Sequence, residues 1–173
     1  MAIYLQHWYQ LKQASRETPI MRSKVIDSAR NLGLDVNVQR LPDTRASVAD
    51  TAAALGCGVA RIASCKVYVA DGDPVVCVSP ADCPVDPDLL ADALDVAEVR
   101  TASDGETRAA TGFPAAGVPP FGHGLPVVVD EILLVHSTVW TTGGDGCTLV
   151  EVEPARLVSC TVATVAAVTA VTA

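Results

Sequence analysis

The sequence predicts an α/β fold: a mixed, barrel-like β-sheet flanked by helices, in a single domain. Three observations carry that expectation. Strand-like and helix-like patterns interleave along the chain with no internal repeat, the order expected of a mixed sheet with helices packed on it. A length of 173 residues suits one domain and suffices to bury a core. Half of the residues are hydrophobic but only 4% are aromatic. The core is therefore built from small aliphatic side chains, Ala and Val foremost.

The elements follow in order. Met21 to Leu32 sets apolar residues at helical spacing (Val25, Ile26, Ala29, Leu32), with Gly33 as the C-cap. Asp35 to Leu41 alternates as a strand does, and Pro42-Asp43 turns the chain. Ser47 caps a helix from Val48 to Leu55, with Asp50 at the capping-box position and Gly56 ending it. Two strands, Ile62 to Ala70 and Pro74 to Ser79, are joined by Asp71-Gly72-Asp73, a hairpin signal. Asp86 to Leu94 reads as a helix, Glu98 to Thr101 as extended, and Ser103 to Ala110 as a capped helix with Glu106 three residues after the cap. Short strands are expected around 127–129, 137–141 and 148–152, and a closing helix over 153–158.

Residues 1–20 are read as an N-terminal extension, 21–160 as the domain and 161–173 as an apolar tail. Met1 and Met21 both stand as starts. From Leu157 to Ala173 the chain has no charge, yet five of these residues are Ser or Thr. The stretch sits at the low edge of a membrane span, so it reads as a β-prone or loosely held tail and no membrane is implied. Six cysteines (Cys57, Cys65, Cys77, Cys83, Cys147, Cys160) form no C-x-x-C pair and have no paired His at zinc spacing. Met1 to Arg16 lacks the apolar stretch of a secretory signal. Reduced cysteines, no metal, no cofactor and a cytoplasmic setting are the expectation.

The formal net charge is -8, which argues against a protein that grips nucleic acid unaided. Residues 1–45, however, hold seven of the twelve Lys and Arg against four acids, so they are net +3 and the remainder net -11. A solvated helix face explains this first; a docking surface for a phosphate backbone is the alternative.

Residues 111–126 contain four Gly and four Pro and cannot be regular structure. A long loop of that composition presents rigid backbone, which functional sites favour. Gly112, Gly117, Gly122 and Gly124 permit close approach of a ligand or unusual dihedrals. The run from Thr111 through Gly112, Phe113, Pro114, Ala115, Ala116, Gly117, Val118, Pro119, Pro120, Phe121 and Gly122 to His123 resembles the signature of the YbaK family of aminoacyl-tRNA deacylases. These are free-standing editing proteins similar to the insertion domain of prolyl-tRNA synthetase. The surrounding order is similar too: the helix ending Leu55-Gly56-Cys57, the Ile62 strand, Asp130-Glu131 and Val139-Trp140.

The resemblance implies hydrolysis of the ester that joins a mischarged amino acid to a tRNA 3′ end, without metal or covalent enzyme intermediate. A tRNA synthetase such as prolyl-tRNA synthetase would be the partner. The absence of a G-x-S-x-G elbow and of a metal-ligand cluster agrees with that. Catalysis by orientation and backbone hydrogen bonding needs few ionisable groups. Where relatives carry a strand Lys this chain has Ser64, and Lys66 lies two residues on, on the same strand face. A surface Lys is the equal alternative. Ala116 stands where a Gly usually precedes Gly117, and Gly143-Gly144-Asp145-Gly146 where many relatives have a His. Lys66, Ala116 and Gly117 are the candidate catalytic positions. Ser64, Gly112, Phe113, Val118, Pro119, Pro120, Phe121, Gly122, His123 and Asp130 are the candidate substrate-binding ones. For His123 a loop brace, and for Asp130 an N-cap, are the competing structural roles. A catalytically degenerate module that binds tRNA ends or a synthetase is the second reading, and a thiol enzyme built on Cys65 the third.

Overall fold

The computed structural model describes residues 19–42 and 47–170. Its first helix, α1, covers 19–31, and Gly33 beyond it is left-handed with φ 67°. Val25 and Ala29, on the stripe marked by the spacing, are buried. β1 (Asn37–Arg40) follows; the expected Pro42-Asp43 turn lies outside the described residues from 43 on. α2 (Val48–Leu55) is capped by the Ser47 hydroxyl, which accepts from the Asp50 amide, and stops at left-handed Gly56.

β2 (Ala63–Ala70) and β3 (Asp73–Pro80) form the expected hairpin. Asp71 and Gly72 both have positive φ, 46° and 94°, the two-residue turn whose twist matches that of the strands. The Asp71 carboxylate accepts from the amides of Ala97 and Glu98, which fastens the hairpin tip to the start of β4 (Val99–Thr101). α3 (Pro87–Leu94) is capped by Asp86, and α4 (Asp104–Thr111) opens on the complete Ser103/Glu106 capping box. After the Gly/Pro loop come β5 (Val127–Asp130), a 3-10 turn (Glu131–Val135), β6 (Val139–Thr142), β7 (Thr148–Val152), α5 (Pro154–Thr161) and β8 (Thr164–Ala166).

Five strands make a mixed sheet ordered β4-β2-β3-β5-β8, and three make an antiparallel sheet ordered β1-β7-β6. A bridge between Ile62 and Trp140 links the two, so they wrap towards each other. Among the described residues no pairing closes a ring. On the inner face Ala63, Cys65 and Val67 of β2, Val76 and Val78 of β3, and Val127 and Val129 of β5 pack with α1, with β6 and β7, and with Phe113, Val118 and Phe121 of the loop. On the other face Tyr68, Val75, Cys77 and Val128 pack with Leu90 of α3 and with Val168. Burying each of these Val or Leu side chains is worth about 1.5–3 kcal/mol.

The chain beyond residue 160 differs from the expected appended tail. α5 runs through Thr161, β8 pairs in parallel with β5, and Val168 is fully buried. The cause is the open edge of β5, which an apolar β-prone segment can extend. Asp130 then accepts from the amides of Val168 and Thr169. The domain, as described, therefore continues to residue 170. Residues 1–18, most of the expected N-terminal extension, lie outside the described residues. No helix among the described residues is long and apolar enough to cross a membrane.

Candidate functional site

The Gly/Pro loop is fixed at almost every step. Gly112 ends α4 in the left-handed region, φ 77°. The Thr111 hydroxyl accepts from the Phe113 amide and donates to the Thr107 carbonyl. Phe113, Val118 and Phe121 are buried in the core, and Pro119 and Pro120 are buried beside them. Ala115–Gly117 forms one 3-10 turn. The Gly117 carbonyl accepts from the Gly144 amide at 2.8 Å, and the Val118 carbonyl accepts from the Thr142 hydroxyl. A Cβ on Gly117 would stand 2.5 Å from the Asp145 backbone, and one on Gly122 would stand 2.5 Å from the Ser28 hydroxyl. The loop is thus clamped between the β6–β7 turn and α1. Within the loop its tip, Ala115 and Ala116, the glycines Gly112, Gly122 and Gly124, and Pro126 at its end are exposed.

That β6–β7 turn holds the Gly143-Gly144-Asp145-Gly146 run, where the resemblance leads one to expect a His in many relatives. Asp145 organises it instead: its carboxylate accepts from the amides of Cys147 and Thr148 at 2.7 Å and from the Thr148 hydroxyl at 2.8 Å. Ala116 abuts Gly146, so the two tips form one surface.

The second half of the loop lines a cavity of about 370 Å³ between α1 and α5. Its walls are Ser28 and Asn31 of α1, Leu32 just beyond it, Phe121 to Leu125 of the loop, Val127, Cys160 and Thr161. The sequence marked the loop residues but not Ser28, Asn31, Cys160 or Thr161. The one available signal was the polar pair Ser28 and Asn31 next to the apolar stripe of α1. His123 makes the bracing contact that was the alternative to its substrate-binding role, since its Nδ1 accepts from the Leu125 amide at 3.1 Å. Burial pushes its pKa down to about 4, with the Pro120 carbonyl pulling weakly the other way. The ring is neutral at pH 7.

Ser64 and Lys66 do share a face, as the strand periodicity requires, and both line a second cavity of about 220 Å³ with Tyr68, Ser79, Asp82 and Cys83. That face is the one opposite Ala63, Cys65 and Val67, against which the loop packs. The structure therefore brings Ser64 together with Lys66, and the loop residues together with one another. It places the two groups on different faces of β2 and in different cavities. Lys66 is exposed.

Asp130, buried at the end of β5, is fully engaged. One oxygen accepts from the Ile132 amide; the other accepts from the amides of Val168 and Thr169 and from the Thr169 hydroxyl. It caps and staples rather than facing open space. Cys65 sits within 2.9 Å of the Thr141 hydroxyl, and burial pushes its thiol up to about 12, the hydrogen bond opposing. It remains protonated and points away from Lys66 across the strand, which removes it as a nucleophile.

A profile of the aminoacyl-tRNA editing domain matches residues 42–160. The chain belongs to this family. The editing domain also superposes on solved structures over most of its length. One is described as a candidate trans-editing enzyme for prolyl tRNA synthetase, 28% identical, with a TM-score of 0.79 and coverage of 87% of this chain and 97% of that one. Another, the hypothetical protein APE2540, is 30% identical with a TM-score of 0.77, covering 85% and 99%. No curated protein matches the sequence. The fold and family implied by the Pro-Pro-Phe-Gly loop are thus those of this editing domain.

Proposed function

We propose that this editing domain is a trans-editing hydrolase that cleaves the ester of a misacylated tRNA without a metal or a covalent enzyme intermediate. The observation that supports it best is the clamped loop: Ala115 and Ala116 offer backbone at the surface, and the buried Gly117 and Val118 next to them are held by the Gly144 amide and the Thr142 hydroxyl. Preorganised backbone groups aimed at a developing oxyanion need no reorganisation during reaction. A water attacks the ester carbonyl, the bond to the ribose oxygen breaks, that oxygen takes up a proton, and free amino acid and tRNA leave. A cytoplasmic setting and a synthetase that holds the tRNA go with this role. The similarity to a candidate trans-editing enzyme for prolyl tRNA synthetase points to that synthetase.

Lys66 serves in place of the strand Lys that relatives carry at the Ser64 position. Because the loop lies across the sheet, its ammonium acts on a phosphate of the acceptor strand rather than on the ester. Lys66→Ala then costs about 1.5–3 kcal/mol, on the order of ten- to a hundredfold in kcat/KM. The second reading, a module that binds but no longer hydrolyses, is favoured by Ser64 and by Asp145 filling the turn where a His is usual. Deacylation of Cys-, Ala-, Ser- and Pro-charged tRNA by wild type, Lys66→Ala and Ser64→Lys decides. An inert wild type that gains activity as Ser64→Lys establishes the degenerate module. An active wild type unaffected by Lys66→Ala removes Lys66 from the reaction.

A further inference from the structure

The five-stranded sheet ends on an edge that nothing blunts. Natural sheets guard their edges with charged side chains, proline or a covering element, because unpaired edge backbone pairs with another chain. Two other edges follow that rule: β1 carries Arg40, and β4 carries Arg100, which Glu106 of α4 holds through two hydrogen bonds. β6 is covered, since Trp140 bridges to Ile62 and Thr141 meets Cys65 of β2. β8, Thr-Val-Ala, has neither charge nor proline. No strand among the described residues pairs with its outer side, and Thr164 and Val165 are exposed. Apolar surface collects around it. Of the seven large hydrophobic residues exposed among those described, five are Ile132, Leu134, Val135, Val162 and Val165. Val129, the register partner of Val165, shares one core with Leu133 and Leu157. The 131–135 turn and the corner from α5 into β8 therefore lie on the same side of β5. Val162, at that corner, is 89% exposed and left-handed with φ 53°, a conformation a β-branched residue rarely takes.

We propose that this surface binds a second copy of the chain, with the two β8 strands antiparallel about a two-fold axis and the exposed valines and the 131–135 turn packed beside them. Charge selects that occupant. The chain carries -8 overall, yet residues 157–173 carry no charge and the 131–135 turn only Glu131. Two copies that repel each other elsewhere meet here with little like-charge repulsion. The same neutrality gives a nucleic acid no cations to neutralise its phosphates. A two-fold contact sets identical surface against identical surface, so each short edge meets one of equal length. A stable interface buries about 800 Å² on each partner, more than three strand residues offer, and the apolar turn and corner supply the rest. The association is independent of the editing chemistry.

The test is sedimentation equilibrium of the full chain over a concentration series, with amide hydrogen exchange followed at residues 162–166. Wild type is expected to sediment as a dimer of about twice the 17.9 kDa chain, and exchange at 164–166 should slow as the concentration rises. Val165→Lys sets two ammonium groups against each other across the axis and should raise the dissociation constant roughly tenfold or more. Should Val165→Lys fail to fold, Val162→Lys, at a side chain almost wholly in water, decides. Ile20→Lys, at an exposed apolar residue of α1, is the control and should leave the dimer intact. A wild type that stays monomeric throughout the series overturns the inference. So does a dimer that both valine variants leave unchanged, or that Ile20→Lys weakens as much as they do. Slow exchange at 164–166 in a monomer would mean that the chain covers its own edge, which equally overturns it.

Discussion

Gly117 and Gly124 sit in one loop and need to be glycine for opposite reasons. Gly124 has φ 74° and open space around its missing Cβ, whereas a Cβ on Gly117 would stand 2.5 Å from backbone atoms of Asp145. Gly124→Ala should therefore cost only the left-handed penalty, about 1–2 kcal/mol. Gly117→Ala must push two clamped backbones apart, costing about 1–3 kcal/mol, and the displaced tip should also lower kcat. Urea unfolding and single-turnover deacylation separate the two; equal kcat losses for both variants would count against backbone positioning at Gly117. His123 gives a pH signature. Its pKa is near 4 in the folded chain and near 6.5 when unfolded, so the unfolded chain binds the extra proton. Stability is flat above about pH 6.5 and falls as the pH drops towards 4, by at most about 3 kcal/mol, less because the ring keeps some contact with water. His123→Gln should flatten that limb in chemical denaturation run between pH 4 and pH 7. An unchanged limb would mean the ring titrates alike in both states.

Among the elements, the C-terminal strand owes its place to one carboxylate. Asp130 joins the end of β5, the 131–135 turn and residues 168–169 through four accepted hydrogen bonds. Asp130→Ala strands the buried Val168 amide and should cost about 1–3 kcal/mol. Hydrogen exchange should then quicken at residues 164–169 well before it does in β2 and β3. Uniform exchange across the sheet would instead mean that β8 unfolds only with the whole domain. This element also marks the limit of what the sequence reveals. The Asp71-Gly72 turn, the Ser103/Glu106 box and the Gly33 and Gly56 stops are local chemistry, readable within a few residues, and each lies where its pattern puts it. The segment after Thr161 has no turn or cap residue to punctuate it, and its partner Asp130 lies 38 residues away. The loop was legible through its Gly and Pro content, and the shared face of Ser64 and Lys66 through strand periodicity. That the loop packs on the opposite face is a tertiary fact, fixed by Phe113, Val118 and Phe121 seeking the inner core. That Ser28 and Asn31 line the larger cavity likewise follows from α1 lying across Gly122.

For the whole molecule, the question is how a chain of net charge -8 holds a polyanion. Arg22 and Lys24 on α1 and Arg40 on β1 are exposed, on the segment that carries most of the basic charge, while Arg61 is tied to Glu151 and Thr138 in an ion-pair cluster of the antiparallel sheet. α1 also packs on the loop at Gly122 and on Gly144, so the phosphates of a tRNA end brought to the loop would meet α1 rather than the acidic remainder. With about two phosphates engaged on a single-stranded end, log KM should rise with log salt at a slope of roughly 1.4, about sevenfold between 50 and 200 mM. The double variant Arg22→Glu with Lys24→Glu should raise KM at low salt and abolish most of that slope, with little change in stability because both positions are exposed surface. Arg61→Ala should do the reverse, lowering stability by removing the partner of Glu151 while leaving the salt slope intact. Initial rates on one mischarged tRNA at four salt concentrations measure all three proteins. If the wild-type KM is independent of salt, or if Arg61→Ala changes the slope as much as the α1 pair does, then α1 is not where the nucleic acid docks, and the domain depends on a synthetase to present its substrate.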